Sequence, residues 1–246
     1  MKVLVVHAHP EPGSFNARLL RTAVATLTEE GHEVQVSDLY AMQWDPVATG
    51  ADFTTRRFPD QLQYDREQKH AVAHQLFRDD IATEIDKVLW CDQLILQFPL
   101  WWYSVPAILK GWIDKVFVNG LMYGSLGRFD RGGMAGRRAL VSTTTGAFPA
   151  MVGPRGTLGH LDAILWHLEY GTLAYAGFEV LERHVVNAVR YVDDAARDEA
   201  VADYAAYLRG IEDLAPMPAH RTDEFGPDHV LRDDVAPRTL GHRWHT

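Results

Sequence analysis

The chain has 246 residues, of which 47% are hydrophobic and 23% charged, and a formal net charge of −9. That length fits one large α/β domain or two small ones, and the composition fits a globular protein with a real core. The negative balance argues against general nucleic-acid binding and favours a soluble cytoplasmic protein. Cys91 is the single cysteine, so no intrachain disulfide forms; it follows a tryptophan at a strand start and reads as a buried packing residue. Met1-Lys2 leads straight into a strand, so no signal peptide is expected, and the longest apolar runs fall far short of a membrane span.

Lys2 to His7 is a continuous apolar run rich in β-branched residues, the pattern of a buried parallel strand. A loop with two prolines and a glycine follows, Ala8 to Gly13. Ser14 to Glu30 is predicted as an amphipathic helix, with Leu19, Leu20, Val24 and Leu27 on one side and Gly31 ending it. Glu33 to Ser37 alternates and gives a second strand. Asp38 to Tyr64 shows no sustained period and reads as an excursion. Asp65 to Lys87 reads as helix in two pieces, Gln93 to Gln97 as the third strand and Pro106 to Phe117 as the next helix. Arg137 to Thr143 gives strand four, Leu158 to Tyr175 a mostly apolar helix, Phe178 to Val185 strand five and Asp193 to Arg209 the last helix. This alternation predicts an α/β, doubly wound, flavodoxin-like five-stranded parallel sheet, order 2-1-3-4-5, with helices on both faces. Residues 1–213 form the domain. Residues 214–246 are a Pro-rich, charged tail without an apolar period, expected either to be disordered or to wrap over a partner subunit.

The most informative stretch is Phe98 to Phe117. Pro99, Leu100, Trp101, Trp102 and Tyr103 lie in the loop at the C-terminal end of a strand, the edge where open α/β sheets bind ligands. Pro99 stiffens that loop. Aromatic residues are usually packing residues, but three in a row between prolines are hard to bury together. Such a loop presents a flat apolar wall suited to a planar heteroaromatic ring. At the end of strand one, the N-terminus of the Ser14 helix suits a phosphate, with Ser14 either a plain N-cap or a cap that also donates to a phosphate oxygen. Neither G-x-G-x-x-G nor a Walker lysine is present. After strand four, Thr143-Thr144-Thr145-Gly146-Ala147 offers backbone N–H groups at Gly146 and Ala147, which would stabilise negative charge developing on a reduced ring.

The Phe98–Phe117 stretch resembles the flavin loop of the NAD(P)H:quinone oxidoreductases of the DT-diaphorase type. The resemblance extends to His9, Phe15 and Asn16 in the first loop, to Asp38–Met42, to Thr144-Thr145-Gly146, to Ile164-Leu165-Trp166 and to Gly177–Glu182, so it runs from residue 1 to about 210. It implies that His9, Ser14, Phe15 and Asn16 hold flavin phosphates, that Gln63 reaches the cofactor from the excursion, and that Arg197 lies on the adenosine side. His9 and Gln63 together point to a pyrophosphate and hence to FAD, with FMN as the alternative. Pro99 to Tyr103 and Thr144 to Ala147 would hold the ring. The implied activity is hydride transfer from NAD(P)H to a quinone or similar acceptor, with ping-pong kinetics, in a pocket at a homodimer interface. Gly146, Tyr123 and Tyr175 would act there, the tyrosines lining the acceptor pocket.

The sequence departs from the family at three positions. Val152 and Leu158 stand where the family has the Tyr and His that relay charge from the flavin, and Ser125 replaces a second pocket tyrosine. Arg155 and His160 could supply charge nearby or simply be solvated. These departures keep a second reading open, a flavin-binding redox-sensing or ancillary subunit with little turnover; an FMN electron-transfer flavodoxin is a third. No metal site is expected: His70 and His74 share a helix face without a third ligand, and the His242–His245 segment is too short to define one.

Overall fold

The computed structural model describes residues 1–125 and 127–243. Six strands form one sheet: β1 (Lys2–His7), β2 (Glu33–Asp38), β3 (Gln93–Pro99), β4 (Arg138–Thr144), β5 (Glu179–Val180) and β6 (His184–Val186). The order is β2-β1-β3-β4-β5, with β6 also pairing β4, and every pairing is parallel. Parallel strands need crossovers, and helices supply them. They are α1 (Phe15–Glu29), α2 (Tyr64–His74), α3 (Asp79–Trp90), α4 (Ala107–Val116), α5 (Leu161–Leu168), α6 (Asp194–Arg209) and the single turn α7 (Leu240–Arg243).

Alternation along the strands sorts the core into two layers. Val3, Val5, Ile95 and Leu140 pack with Leu19, Ala23 and Leu27 of α1 and with Tyr204 and Leu208 of α6. Leu4, Val6, Leu94, Leu96 and Val141 face the other way, onto Ile81, Ile85 and Val88 of α3, Trp112 of α4 and Leu165 of α5. Cys91 lies in this second layer, fully buried, and burial raises its thiol pKa to about 12. No helix among the described residues is long and apolar enough to cross a membrane.

Two local readings need correction. The expected fifth strand is two short ones: β5 pairs with Arg138 and Ala139, while β6 pairs with Ser142 to Thr144. Leu181 between them still donates its N–H to Ala139 O at 2.8 Å but also bridges to Pro216 of the tail, so the edge bends where a second segment joins it. The expected Leu158–Tyr175 helix begins at Leu161, because residues 149–159 form a turn-rich loop, and it widens into a π segment at Glu169–Ala174.

The excursion has no apolar period; Leu39 and Trp44 enter the core singly, and a buried ion pair anchors it further on. Fully buried Lys115 of α4 donates to Asp52 Oδ1 at 2.9 Å, and Asp52 Oδ2 accepts from Tyr64 Oη at 2.7 Å. The tail, expected to be disordered or to lie on a partner, packs on its own chain. Arg138 donates to the carbonyls of Ile211, Glu212 and Leu214, and Met217 N–H donates to Val180 O. Buried His220 accepts from Arg238 N–H through Nε2, and His242 of α7 packs edge-on to Tyr170 and Trp166. Trp244 and His245 lie outside the described residues.

Candidate functional site

A cavity of about 990 Å³ opens at the C-terminal edge of the sheet. It is walled by the loop after β1 with the first turn of α1, by the loop after β3, by the loop after β4, and by the segment after β6. His9, Ser14, Phe15, Asn16, Pro99, Leu100, Trp101, Trp102, Tyr103, Thr144, Thr145, Gly146, Ala147 and Arg197 all line it, so the fold gathers residues that lie up to 188 positions apart (9 to 197).

At the α1 end, Ser14 is the N-cap: its Oγ accepts from Ala17 N–H at 3.1 Å, which leaves the hydroxyl proton free to donate. Burial lowers the His9 imidazole from its ordinary value, which favours the neutral ring. Its Nδ1 accepts from Glu11 N–H at 3.0 Å, so Nε2 carries the proton. Asn16 is 4% exposed. Its Nδ2 donates to Thr144 Oγ1 at 2.8 Å, while its Oδ1 is buried with no hydrogen-bond partner among the described residues. A buried acceptor without a donor is costly, on the order of 1–3 kcal/mol, unless a ligand satisfies it.

The loop after β3 is a tight turn. Trp101 and Ser104 exchange backbone hydrogen bonds at 3.0 Å, and Trp102 and Tyr103 between them have φ of 49° and 61°. Left-handed φ at both central residues is the type I′ geometry usually built from Asn and Gly. Each such non-glycine residue costs about 1–2 kcal/mol. The consequence is display: Trp102 is 96% exposed, Tyr103 50% and Trp101 40%. Three aromatic side chains are held out of the core at a cavity mouth. Trp101 lies 6.3 Å from the His9 ring, so the aromatic turn and the α1 end adjoin.

In the loop after β4, the Ala147 amide, expected to face a ligand, donates instead to Thr145 Oγ1 at 3.0 Å. The local Thr hydroxyl reaches it first. The Gly146 amide has no acceptor among the described residues and is the donor this loop offers. Gly146 has no atom within 4 Å of where a Cβ would stand, so the chain itself does not require glycine there.

Other expected residues fall elsewhere. Gln63 precedes α2 and does not line the cavity. Tyr123 and Tyr175 also lie outside it, with ring centroids 5.8 Å apart, and Phe129 sits 5.4 Å from Tyr175. Within one chain these positions are separated from the cavity because Gln63 and Tyr123 sit on other loops and Tyr175 lies at the end of the helical run that begins at Leu161. Val152 and Leu158 do line it, so the two departures from the family make part of its lining apolar, together with Met151 and Ile164. His160 is the N-cap of α5, accepting from Asp162 N–H at 3.2 Å, and Arg197 Nε donates to Val189 O at 3.2 Å.

Gly13, Met151, Ile164, Val189, Arg190 and Tyr191 complete the wall, and none of them is among the site residues expected from the sequence. The signal for Val189 to Tyr191 was their position just past the last strand, at the same sheet edge as the aromatic turn. Tyr191 stacks on Phe148 with centroids 5.5 Å apart, which joins this segment to the loop after β4. Among the described residues no three His, Cys, Asp or Glu side chains are grouped to hold a metal; the His70 and His74 rings lie tilted against each other, centroids 4.2 Å apart.

The flavodoxin-like fold family Flavodoxin_2 matches residues 1–208. A curated relative, NAD(P)H dehydrogenase [quinone] 1 of Cavia porcellus, is 38% identical over 217 residues, 88% of this chain and 79% of that protein. The human ribosyldihydronicotinamide dehydrogenase [quinone] is 40% identical over 226 residues, 92% of this chain and 98% of that protein. A Klebsiella pneumoniae structure, described as a candidate quinone reductase, superposes with a TM-score of 0.92 at 38% identity, covering 96% of each chain. The chain therefore belongs to the NAD(P)H dehydrogenase (quinone) family of flavodoxin-like proteins.

Proposed function

We propose that this chain is a cytoplasmic, FAD-dependent NAD(P)H dehydrogenase that reduces a quinone or similar acceptor. The observation that carries the reading is the cavity at the C-terminal sheet edge, where the start of α1, the aromatic turn and the Gly146 loop meet around one space of about 990 Å³. Its chemistry fits a flavin nucleotide. The α1 N-terminus, the Ser14 hydroxyl and neutral His9 suit phosphate oxygens. The unpartnered Asn16 Oδ1 needs a hydroxyl donor, which a ribityl chain has. Trp101, Trp102 and Tyr103 suit a planar ring, and the Gly146 amide suits the ring's carbonyl edge. Arg197 would serve the adenosine side, and FMN is the alternative where that half is not used.

A bound flavin supplies hydride acceptance and release, which no side chain here can perform. The protein's part is to orient the ring, exclude water from its covered face and donate a hydrogen bond at Gly146. Donor and acceptor would share one open face, hence ping-pong kinetics. We also infer a homodimer. Tyr123, Tyr175 and Gln63 lie off the cavity of their own chain, and a two-fold partner is what would bring them to it.

The test is an anaerobic absorption titration of the FAD-reconstituted chain with NADPH and NADH. Stoichiometric bleaching of the flavin spectrum supports the reductase and chooses the donor. Failure to take up FAD or FMN would sink the reading. The apolar Val152 and Leu158 favour a second reading, a flavin-binding redox sensor or ancillary subunit with little turnover. Bound flavin that neither donor bleaches, with no menadione-dependent NAD(P)H oxidation, would select it.

A further inference from the structure

The turn that displays Trp102 and Tyr103 carries a conformational cost at two successive residues, with φ of 49° and 61°. Its two backbone hydrogen bonds, between Trp101 and Ser104, are open to solvent competition because the turn projects at the cavity mouth. Neither glycine nor asparagine relieves the geometry. A strained, exposed turn persists only where its surroundings over-determine it.

One side chain from outside the turn does this. Ser104 Oγ lies 3.1 Å from His167 Nε2. His167 stands near the end of α5, and its Nδ1 lies 3.0 Å from Ile164 O. A carbonyl can only accept, so Nδ1 carries the proton, and Nε2 is left to accept from the Ser104 hydroxyl. The ring is thereby fixed in orientation by its own helix and reaches 63 residues back along the chain to the closing residue of the turn. Ile164, which anchors the ring, also lines the cavity. The brace therefore joins the aromatic turn to the α5 segment whose Ile164 lines the same site.

We infer that His167 is a positioning residue: through Ser104 it holds the Trp101–Ser104 turn in the left-handed geometry that presents Trp102 and Tyr103 to a planar ring. The inference rests on the flavin reading for its role in binding. The brace itself does not depend on it.

Two measurements on the full chain separate the brace from the binding role. Amide hydrogen exchange of Trp101 and Ser104 is read on the protein without flavin, and the FAD dissociation constant and visible circular dichroism are read after reconstitution. His167→Phe keeps a ring of similar shape and removes the acceptor; Ser104→Ala removes the donor. Each is expected to speed exchange of both amides about tenfold and to weaken FAD about three- to tenfold, since one hydrogen bond of this kind contributes roughly 1 kcal/mol. The double variant should be no worse than either single one. His167→Gln, whose Oε1 can take the place of Nε2 as acceptor, should recover most of the loss and restore the dichroism. Unchanged exchange in both single variants would overturn the inference. Faster exchange with unchanged FAD affinity would overturn the binding role. If the wild-type chain takes up no flavin, the proposed function fails instead, and the exchange comparison still decides the brace.

Discussion

Asn16 Nδ2 donates to Thr144 Oγ1 at 2.8 Å, which ties the first turn of α1 to the last residue of β4 across 128 positions of sequence. Gln97 Nε2 adds a second tie, donating to Asn16 O at 2.6 Å from the neighbouring strand. Two of the walls that make the cavity are thus fixed to each other by one buried amide. Asn16→Ala removes the bond to Thr144 and also the acceptor offered to a ligand. It should lower stability by about 1–3 kcal/mol, read as a denaturant midpoint, and weaken FAD binding at least about tenfold. Loss of stability with FAD affinity intact would place the flavin elsewhere.

Trp102 offers the opposite combination. At 96% exposure its side chain packs on almost nothing, so Trp102→Ala should leave the thermal midpoint of the flavin-free protein unchanged while weakening FAD several-fold. A variant that binds FAD as tightly as the wild type would count strongly against the aromatic turn as the ring wall.

The excursion before α2 depends on a buried pair. Lys115 and Asp52 are both fully buried, and the pair is completed by Tyr64, whose phenol is pushed well above its ordinary value by burial and by the Asp52 carboxylate. Removing one partner strands a buried charge. Lys115→Met alone should cost about 3–5 kcal/mol in urea unfolding, and adding Asp52→Leu should recover much of it.

Gly111 of α4 lies against the same segment. A Cβ there would stand 2.2 Å from Pro46 O, a backbone atom that cannot swing aside. Despite alanine's higher helix propensity, Gly111→Ala should destabilise the protein by about 1–3 kcal/mol and speed proteolysis of residues 45–52. A stabilised variant would contradict the close packing of the excursion on α4.

Acid should destabilise the fold through two histidines. Burial is the main cause that lowers both His7 and His184 to about 4, against an ordinary value of about 6.5. Below about 6.5 the unfolded chain takes up these protons and the folded chain does not. The stability they support is therefore full above pH 6.5 and lost as pH falls towards 4. The thermal midpoint should drop across that window, and His7→Gln should flatten the drop, as a pH series of melting curves would show.

Much of the fold was legible because parallel strands buried on both faces announce themselves locally. Lys2–His7, Gln93–Gln97 and Arg137–Thr143 are apolar runs whose burial needs no knowledge of their neighbours, and the intervening helices carry their own period. The sheet order follows from connection rules, and the sheet edge where the aromatic loop, the Ser14 helix and the Gly146 loop converge follows from the order. The residue types at that edge were likewise readable.

What the tertiary structure alone decided concerns polar atoms and their competitors. No local pattern says that Thr145 takes the Ala147 amide, that Asn16 Oδ1 is left without a donor, or that His167 braces Ser104. Hydrogen bonds are short and directional, and their partners here lie up to 128 positions away, so composition and period carry no trace of them. The same holds for the tail and the excursion. Both lack an apolar period because they are held at scattered points, such as Leu39, Trp44 and the Asp52–Lys115 pair for the excursion and Arg138 and Met217 for the tail, rather than along a face. Gln63, Tyr123 and Tyr175 stand off the cavity of their own chain for a related reason: residue type follows from sequence, whereas distance follows from packing.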